Sequence, residues 1–282
     1  MTETTLQSEA TNDMLIEATR KGDLAAFGVL TRRYWSLAVA LGLSRLDNAA
    51  DAEDVAQESF IKAPDLGEIS FALKLSLLTA TVSSVLAVGV SIPVAYLFSR
   101  YAFFAKDLFD TILDLPIVLS PIALGAMLLI FFNTPLGKHM NSWFGPFVFE
   151  VKGIILAQFF VVLGLSIRLL KSTFDSIDVE YENLARTLGY DKMRVFFKVV
   201  LPMAGKGLMA AFLLVWGRAI GEFGATITLA GATTMKTETI PVAIYLSFES
   251  ADVANAIVFI TILITISLAI LFFVRKTNAY VS

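Results

Sequence analysis

The sequence predicts an all-α, polytopic membrane protein with five transmembrane helices behind a small N-terminal helical segment. Three observations carry that expectation. Of the 282 residues, 56% are hydrophobic and 17% charged, against about 45–50% and about 25% in an ordinary soluble domain. Three uncharged runs, 75–99, 115–137 and 253–274, hold 25, 23 and 22 residues, and about 20 suffice to cross a bilayer. The charge is also divided: residues 1–68 carry six Lys or Arg and twelve Asp or Glu, net −6, while the rest carries +3 and nearly all the long apolar runs. The composition excludes disorder and a polar soluble enzyme. With no cysteine there is neither a disulfide framework nor a thiolate metal site. The single histidine, His139, excludes a His-rich site, and a net charge of −3 gives no reason to expect nucleic acid.

Taken in order, residues 1–63 form the polar segment. Met14, Leu15 and Ala18, then Phe27, Leu30 and Tyr34, recur at spacings of three to four, as on short amphipathic helices. A basic n-region and an apolar h-region are missing, so this is not a signal peptide. Residues 64–68, with Pro64 and Gly67, form a junction. The membrane domain is expected over 69–276, with spans at about 71–99, 112–134, 151–170, 205–230 and 253–274 and a tail at 277–282. The third is short: 15 uncharged residues lie between Lys152 and Arg168, whose side chains must snorkel. The fourth contains Arg218 and Glu222. Segment 168–206 carries seven Lys or Arg and is expected to be cytoplasmic. Counting outward from it puts the C-terminus inside and the acidic N-terminus outside.

That cytoplasmic segment, at about 175–202, reads as a compact helix–turn–helix. Asp175, Asp178, Glu180 and Glu182 suit a helix N-terminus. Leu184, Ala185 and Leu188 continue that helix, and Gly189 ends it as a C′ glycine. A second helix over 191–200 has a Met193, Phe196, Phe197, Val200 face, and Pro202 sets the entry to the next span. Such a surface can lie on lipid as an amphipathic linker or receive a cytoplasmic partner.

The loop resembles the EAA loop of ABC-importer permeases, in which Glu-Ala-Ala is followed by three residues, Gly, nine residues and Ile-x-Leu-Pro. The matching positions are Asn183-Leu184-Ala185, Gly189 and Val199-Val200-Leu201-Pro202, with Asn183 and Leu184 departing from the first two letters. The stretch from Asp114-Leu115-Pro116 to Ser120-Pro121 resembles the entry to the second span of molybdate permeases. Gly217-Arg218-Ala219-Ile220-Gly221-Glu222-Phe223-Gly224-Ala225-Thr226-Ile227 resembles their signature, and Thr237-Glu238-Thr239-Ile240-Pro241 a later motif. The resemblance covers about 69–276 and implies the type I ABC importer permease fold. It implies molybdate as the cargo, with tungstate and sulfate as alternatives. It also implies that Glu182, Asn183, Leu184, Ala185, Arg186, Gly189, Arg194, Leu201 and Pro202 couple to an ATPase, Glu182 standing in for the missing carboxylate at Asn183. The implied partners are an ABC ATPase dimer, an extracytoplasmic oxyanion-binding protein, a second permease copy and the lipid bilayer, with no nucleic acid. No cofactor belongs to this chain; ATP with magnesium sits on the ATPase.

Arg218 and Glu222 stand four apart, on one face of a helix. Ionisable groups inside a membrane face a bundle interior or a cavity. The pair can fix helix packing, or Arg218 can favour an anion on the translocation path while Glu222 neutralises it between cycles. Thr226 and Thr228, with Thr233 and Thr234, can line that path or bond their own backbone. Gly221, Gly224 and Ala225 permit close helix approach. Pro93, Pro116 and Pro121 interrupt spans as packing kinks or as hinges. Gly205-Lys206 lacks the rest of a phosphate loop, so the chain is expected not to be an enzyme.

Residues 14–63 resemble region 2 of an extracytoplasmic-function sigma factor, in the stretches from Leu15 to Phe27 and from Asp51 to Ala63, but the promoter-melting aromatic segment and the second sigma domain are absent. A membrane-tethered transcription regulator is therefore the alternative of another class. It needs these residues in the cytoplasm, and the charge count puts them outside. A fusion remnant, or an artefact of gene rearrangement or assembly, fits better.

Overall fold

The computed structural model describes residues 12–20, 23–43, 50, 53, 66–102, 104 and 106–278. All regular structure among them is helical. The contacts divide the chain into two units, 1–65 with 245–258 and 66–244 with 259–282.

In the first unit, α1 (Asn12–Arg20) and α2 (Leu24–Leu43) are helices where the spacing predicts them, α1 clearly amphipathic and α2 weakly so. Asp23 caps α2, its Oδ1 accepting from the backbone of Ala25 at 2.9 Å and Ala26 at 3.2 Å. Leu15 and Ala26 are buried, whereas Met14 and Tyr34 face outward. The second stretch of the sigma-factor resemblance lies almost wholly outside the described residues, as do 279–282.

The second unit is built on α3 (Leu66–Arg100) and α7 (Val151–Asp175), which pack along much of their lengths. Small residues allow it: Ala80 and Ala87 of α3 meet Ala157, Val161 and Val162 of α7 in one buried cluster. The Ser83 hydroxyl donates to the Thr79 carbonyl at 2.7 Å and lies 3.1 Å from Gln158 Oε1.

The elements between and after them are α4 (Lys106–Val118), α5 (Pro121–Asn133), α6 (Pro135–Phe144), α8 (Val179–Thr187) and α9 (Lys192–Val195). A π-helical turn (Phe196–Val200) and α10 (Leu201–Met203) follow, then α11 (Gly205–Ile220), α12 (Gly224–Ala230), α13 (Ile240–Glu249) and α14 (Val253–Asn278). Among the described residues three helices are long and apolar enough to cross a membrane: Leu66–Arg100, Val151–Asp175 and Asn255–Lys276. Two further spans require counting a bent pair of helices as one, α5 with α6 at 84° and the segment Lys192–Met203 with α11 at 70°. Five spans are reached only on that count.

Two predicted spans are not continuous helices. The one expected over 112–134 breaks after Val118, because Pro121 has no N–H to continue the ladder and its ring excludes the preceding turn. Pro135 imposes the next bend. There Thr134 caps α6 through Gly137 N–H at 3.3 Å, and a Cβ on Gly137 would lie 2.2 Å from the Phe131 carbonyl oxygen. The span expected over 205–230 is α11 and α12, separated at 221–223.

Candidate functional site

The helix–turn–helix that follows α7 is built by local rules. Asp178 caps α8 by accepting from Glu180 N–H at 2.9 Å. Gly189 ends the helix at φ +88°, with Gly189 N–H on the Arg186 carbonyl (3.0 Å) and Tyr190 N–H on the Ala185 carbonyl (3.2 Å). This pair of bonds is a Schellman closure, which requires the left-handed conformation that glycine adopts without strain. Asp191 then caps α9 through Arg194 N–H at 3.2 Å. The second helix is not uniform, as 191–200 had been expected to be. Pro202 cannot donate to the carbonyl four residues back, and the chain passes through the π turn at 196–200, where Leu201 N–H reaches the Phe196 carbonyl.

The module divides into two faces. Ala185, Val195 and Val200 are buried with Phe174, Ile177 and Ala95, and Phe196 packs on Tyr96 with centroids 4.7 Å apart. Asn183, Leu184, Arg186, Leu188, Met193, Arg194 and Phe197 are exposed, Leu188 at 74%. Leu201 is half-buried and Pro202 exposed. The predicted Met193, Phe196, Phe197, Val200 face is therefore split between the two. Glu182 stands apart from the outward set. It is 2% exposed and turned inward, one carboxylate oxygen taking the Arg100 guanidinium at 2.5 Å and the other the Tyr96 hydroxyl at 2.7 Å. It does not offer a partner the carboxylate missing at Asn183. In the sequence Arg100 stands out only as a loop charge, since a contact across 82 residues has no local signature.

The second cluster is the break between α11 and α12. Arg218 Nη1 bonds Glu222 Oε2 at 2.7 Å, with the arginine side chain 40% exposed and the carboxylate 2%. Because α11 ends at Ile220, the pair bridges a break rather than lying along one helix face. The other carboxylate oxygen accepts from Ala225 N–H at 2.9 Å and so caps α12. Thr228 bonds the Gly224 carbonyl of its own helix at 2.7 Å, whereas Thr226 is buried with its hydroxyl unpartnered. Thr233, Thr234 and His139 are exposed. Gly125, which the sequence reading missed, brings α5 against α12: a Cβ there would stand 2.8 Å from the Ala225 carbonyl oxygen. The side chains of 114–117 lie outside the described residues.

A third polar group sits in the loop at 231–239. Glu238 is fully buried and accepts from Met235 N–H at 2.9 Å. Burial, together with the facing Glu68 carboxyl, pushes its carboxyl up to about 7. Just after it, Ile240 N–H donates to Ser76 Oγ at 2.7 Å. Among the described residues no group of three or more His, Cys, Asp or Glu is arranged to hold a metal.

A bundle of broken and continuous apolar helices with a capped helix–turn–helix at one membrane face is the architecture of an ABC-importer permease. The chain belongs to the family of binding-protein-dependent transport system inner membrane components, which matches residues 87–277. It is accordingly a multi-pass inner-membrane permease subunit and not an enzyme. It is 39% identical over 181 residues to the molybdenum transport system permease protein ModB of Haemophilus influenzae, covering 63% of this chain and 79% of that one. It is 31% identical over 218 residues to the sulfate transport system permease protein CysW of Synechocystis, covering 76% and 79%. The fold is similar to a solved bacterial ABC transporter involved in import of the acidic polysaccharide alginate, with TM-score 0.61, 17% identity, and 89% and 96% of the two chains covered.

Proposed function

We propose that the chain carries molybdate across the inner membrane as the permease of an ATP-driven importer. The observation that carries this reading is the 39% identity to a molybdenum permease over 181 residues, in a chain whose family match at 87–277 holds both the capped helix–turn–helix and the Arg218–Glu222 break. An external binding protein delivers the anion, a second permease copy completes the path, and an ATPase dimer holding ATP and magnesium docks on the exposed face formed by Asn183, Leu184, Arg186, Leu188, Arg194 and Phe197. Arg218, half-exposed beside a buried carboxylate, is the group that favours an anion on the path, with Glu222, Thr226 and Thr228 around it. Closure of the ATPases brings the docked loops together and turns the cavity from inward- to outward-facing. The C-terminus lies in the cytoplasm, the N-terminus outside, and residues 1–63 are a fusion remnant.

The sulfate permease similarity over 76% of the chain favours sulfate as a second reading, and tungstate shares molybdate's charge and shape. Uptake of labelled molybdate by the complex in proteoliposomes, with tungstate and sulfate as competitors, decides among them. Micromolar tungstate but not sulfate should compete. Competition by none of the anions, including unlabelled molybdate, would sink the oxyanion reading. Protease access at residue 30 tests the orientation: cleavage from the cytoplasmic side would overturn it and revive the regulator.

A further inference from the structure

α3 is bonded near its two ends to elements at opposite ends of the bundle. It runs 35 residues as one helix, continuing through Pro93 without the interruption that the sequence leads one to expect, about 50 Å at 1.5 Å per residue. At the Arg100 end, three donors of one guanidinium reach three acceptors: Nε to Glu182, Nη2 to the Ile177 carbonyl at 2.8 Å, and Nη1 to Ser99 Oγ at 3.1 Å. Ser99 in turn donates to Asp175 at 2.6 Å, and Tyr96 takes the second Glu182 oxygen. Both oxygens of the one buried carboxylate in the helix–turn–helix are thus held by α3. Toward the Leu66 end, Ser76 accepts from Ile240 N–H, and Ala72, Ile69 and Leu73 pack on Ile240 and Ala243, just beyond the 231–239 loop.

The Arg100 contact is not explained by cohesion alone. The two side chains are 8% and 3% exposed, and a buried ion pair repays its desolvation so poorly that apolar residues of similar volume often hold as well. What the pair adds is direction. The guanidinium divides between Glu182 and the Ile177 carbonyl while Tyr96 takes the second carboxylate oxygen, and these separate directional contacts fix the rotation and register of α8 on α3, where an apolar contact slides.

We propose that α3 is a transmission rod. Tyr96, Arg100 and Glu182 are positioning residues that oblige it to move with the docking loop, and it carries that movement to the loop at 231–240. This rests on the reading of the chain as an importer permease whose docking loop is driven by an ATPase.

The test uses the full complex in lipid nanodiscs and proteoliposomes. The chain has no cysteine, so single-cysteine spin labels report without background. One label goes at Leu66, exposed at the far end of α3, and another at Ser176, exposed beside the docking loop. In the unmutated permease, label distances between the two copies should change at both sites when ATP and vanadate trap the ATPase. In the double variant Arg100→Leu/Glu182→Leu, which keeps an apolar pair in place, the Ser176 distance should still change while the Leu66 distance does not. Molybdate moved per ATP should fall at least tenfold, and the charge-swapped Arg100→Glu/Glu182→Arg should recover part of both. An equal Leu66 change in the Leu pair, or none in the unmutated protein while it imports normally, would overturn the rod. If the unmutated complex imports no oxyanion with ATP, the importer reading falls first and the rod with it.

Discussion

Arg218 and Glu222 are bonded at 2.7 Å across an interruption in the backbone, so that one carboxylate serves two helices. Glu222 Oε2 ties down the last turn of α11 while Oε1 caps the first turn of α12. The two duties separate by substitution. Glu222→Gln keeps an acceptor for Ala225 N–H and should unfold close to the unmutated protein in detergent. Glu222→Ala removes the cap and should cost about 1–2 kcal/mol. Arg218→Gln leaves the buried Glu222 carboxylate without its cation, so it should cost about 1–3 kcal/mol, less than the about 3–5 of a fully buried pair because Arg218 is itself 40% exposed, and uptake is compared at equal amounts of folded complex. If Arg218 favours the anion, molybdate uptake should nevertheless fall at least tenfold in that variant. Unchanged uptake would take Arg218 off the path.

Gly189 has open space around it but a φ of +88°. Strain in Gly189→Val is therefore conformational and not steric. It should cost about 1–2 kcal/mol and open the Schellman closure that orients α9 against α8. Membrane insertion should be normal and uptake abolished. Full uptake with normal insertion would remove the loop geometry from the coupling.

Gly125 and Gly137 are constrained by space. Gly125→Val drives its side chain into the Ala225 backbone and Thr228, where even a Cβ would meet atoms at 2.8–2.9 Å. A melting-temperature drop of several degrees is expected from overpacking of about 1–3 kcal/mol. Gly137→Ala places its methyl 2.2 Å from the Phe131 carbonyl oxygen and should open the 84° bend, which cysteine cross-linking between α5 and α6 would report.

Glu238 makes stability depend on pH. Its carboxyl is raised to about 7 from an ordinary value of 4.5, first by burial and then by Glu68. Between those values the folded chain holds a proton that the unfolded chain has lost, so this group's contribution is complete below about pH 4.5 and is lost as the pH rises toward 7. Glu238→Gln should melt a few degrees above the unmutated protein at pH 8 and no higher at pH 4.5. Equal shifts at both pH values would show that Glu238 is not the titrating group.

What could be read in the residues was local. Asp178, Gly189 and Asp191 mark the helix ends in the helix–turn–helix because capping acts over three or four positions. The spans expected at 71–99, 151–170 and 253–274 are α3, α7 and α14 because a long uncharged run has few alternatives in lipid. The break at 221–223 was hidden, since Arg218 and Glu222 at a spacing of four look the same whether or not the helix continues. Glu182 resembled an outward carboxylate because its acidic neighbours Glu180 and Asp178 are outward. Its true partner, Arg100, lies 82 residues away, and nothing in the spacing announces it. Gly125 and Gly137 were passed over for the same reason: the backbone each must clear belongs to a tertiary contact or a bend, not to a motif.

The unequal lengths of the spans set how the protein meets its bilayer. The uncharged run of α14 holds 22 residues, about 33 Å of helix, while that of α7 holds 15, about 22 Å and short of a hydrocarbon thickness of about 30 Å. Yet over an apolar stretch of 18 residues 56% of α7 is buried within the protein and only 17% of α14, with Ile264, Leu268, Leu271, Phe272 and Phe273 turned outward. Within this chain the short helix is shielded by its neighbours, while the one that matches the bilayer keeps its apolar side outward. Hydrophobic mismatch in a thicker or thinner membrane is felt mainly as tilt of α14 at the perimeter, leaving the contacts of α7 with α3 outside the reach of lipid composition.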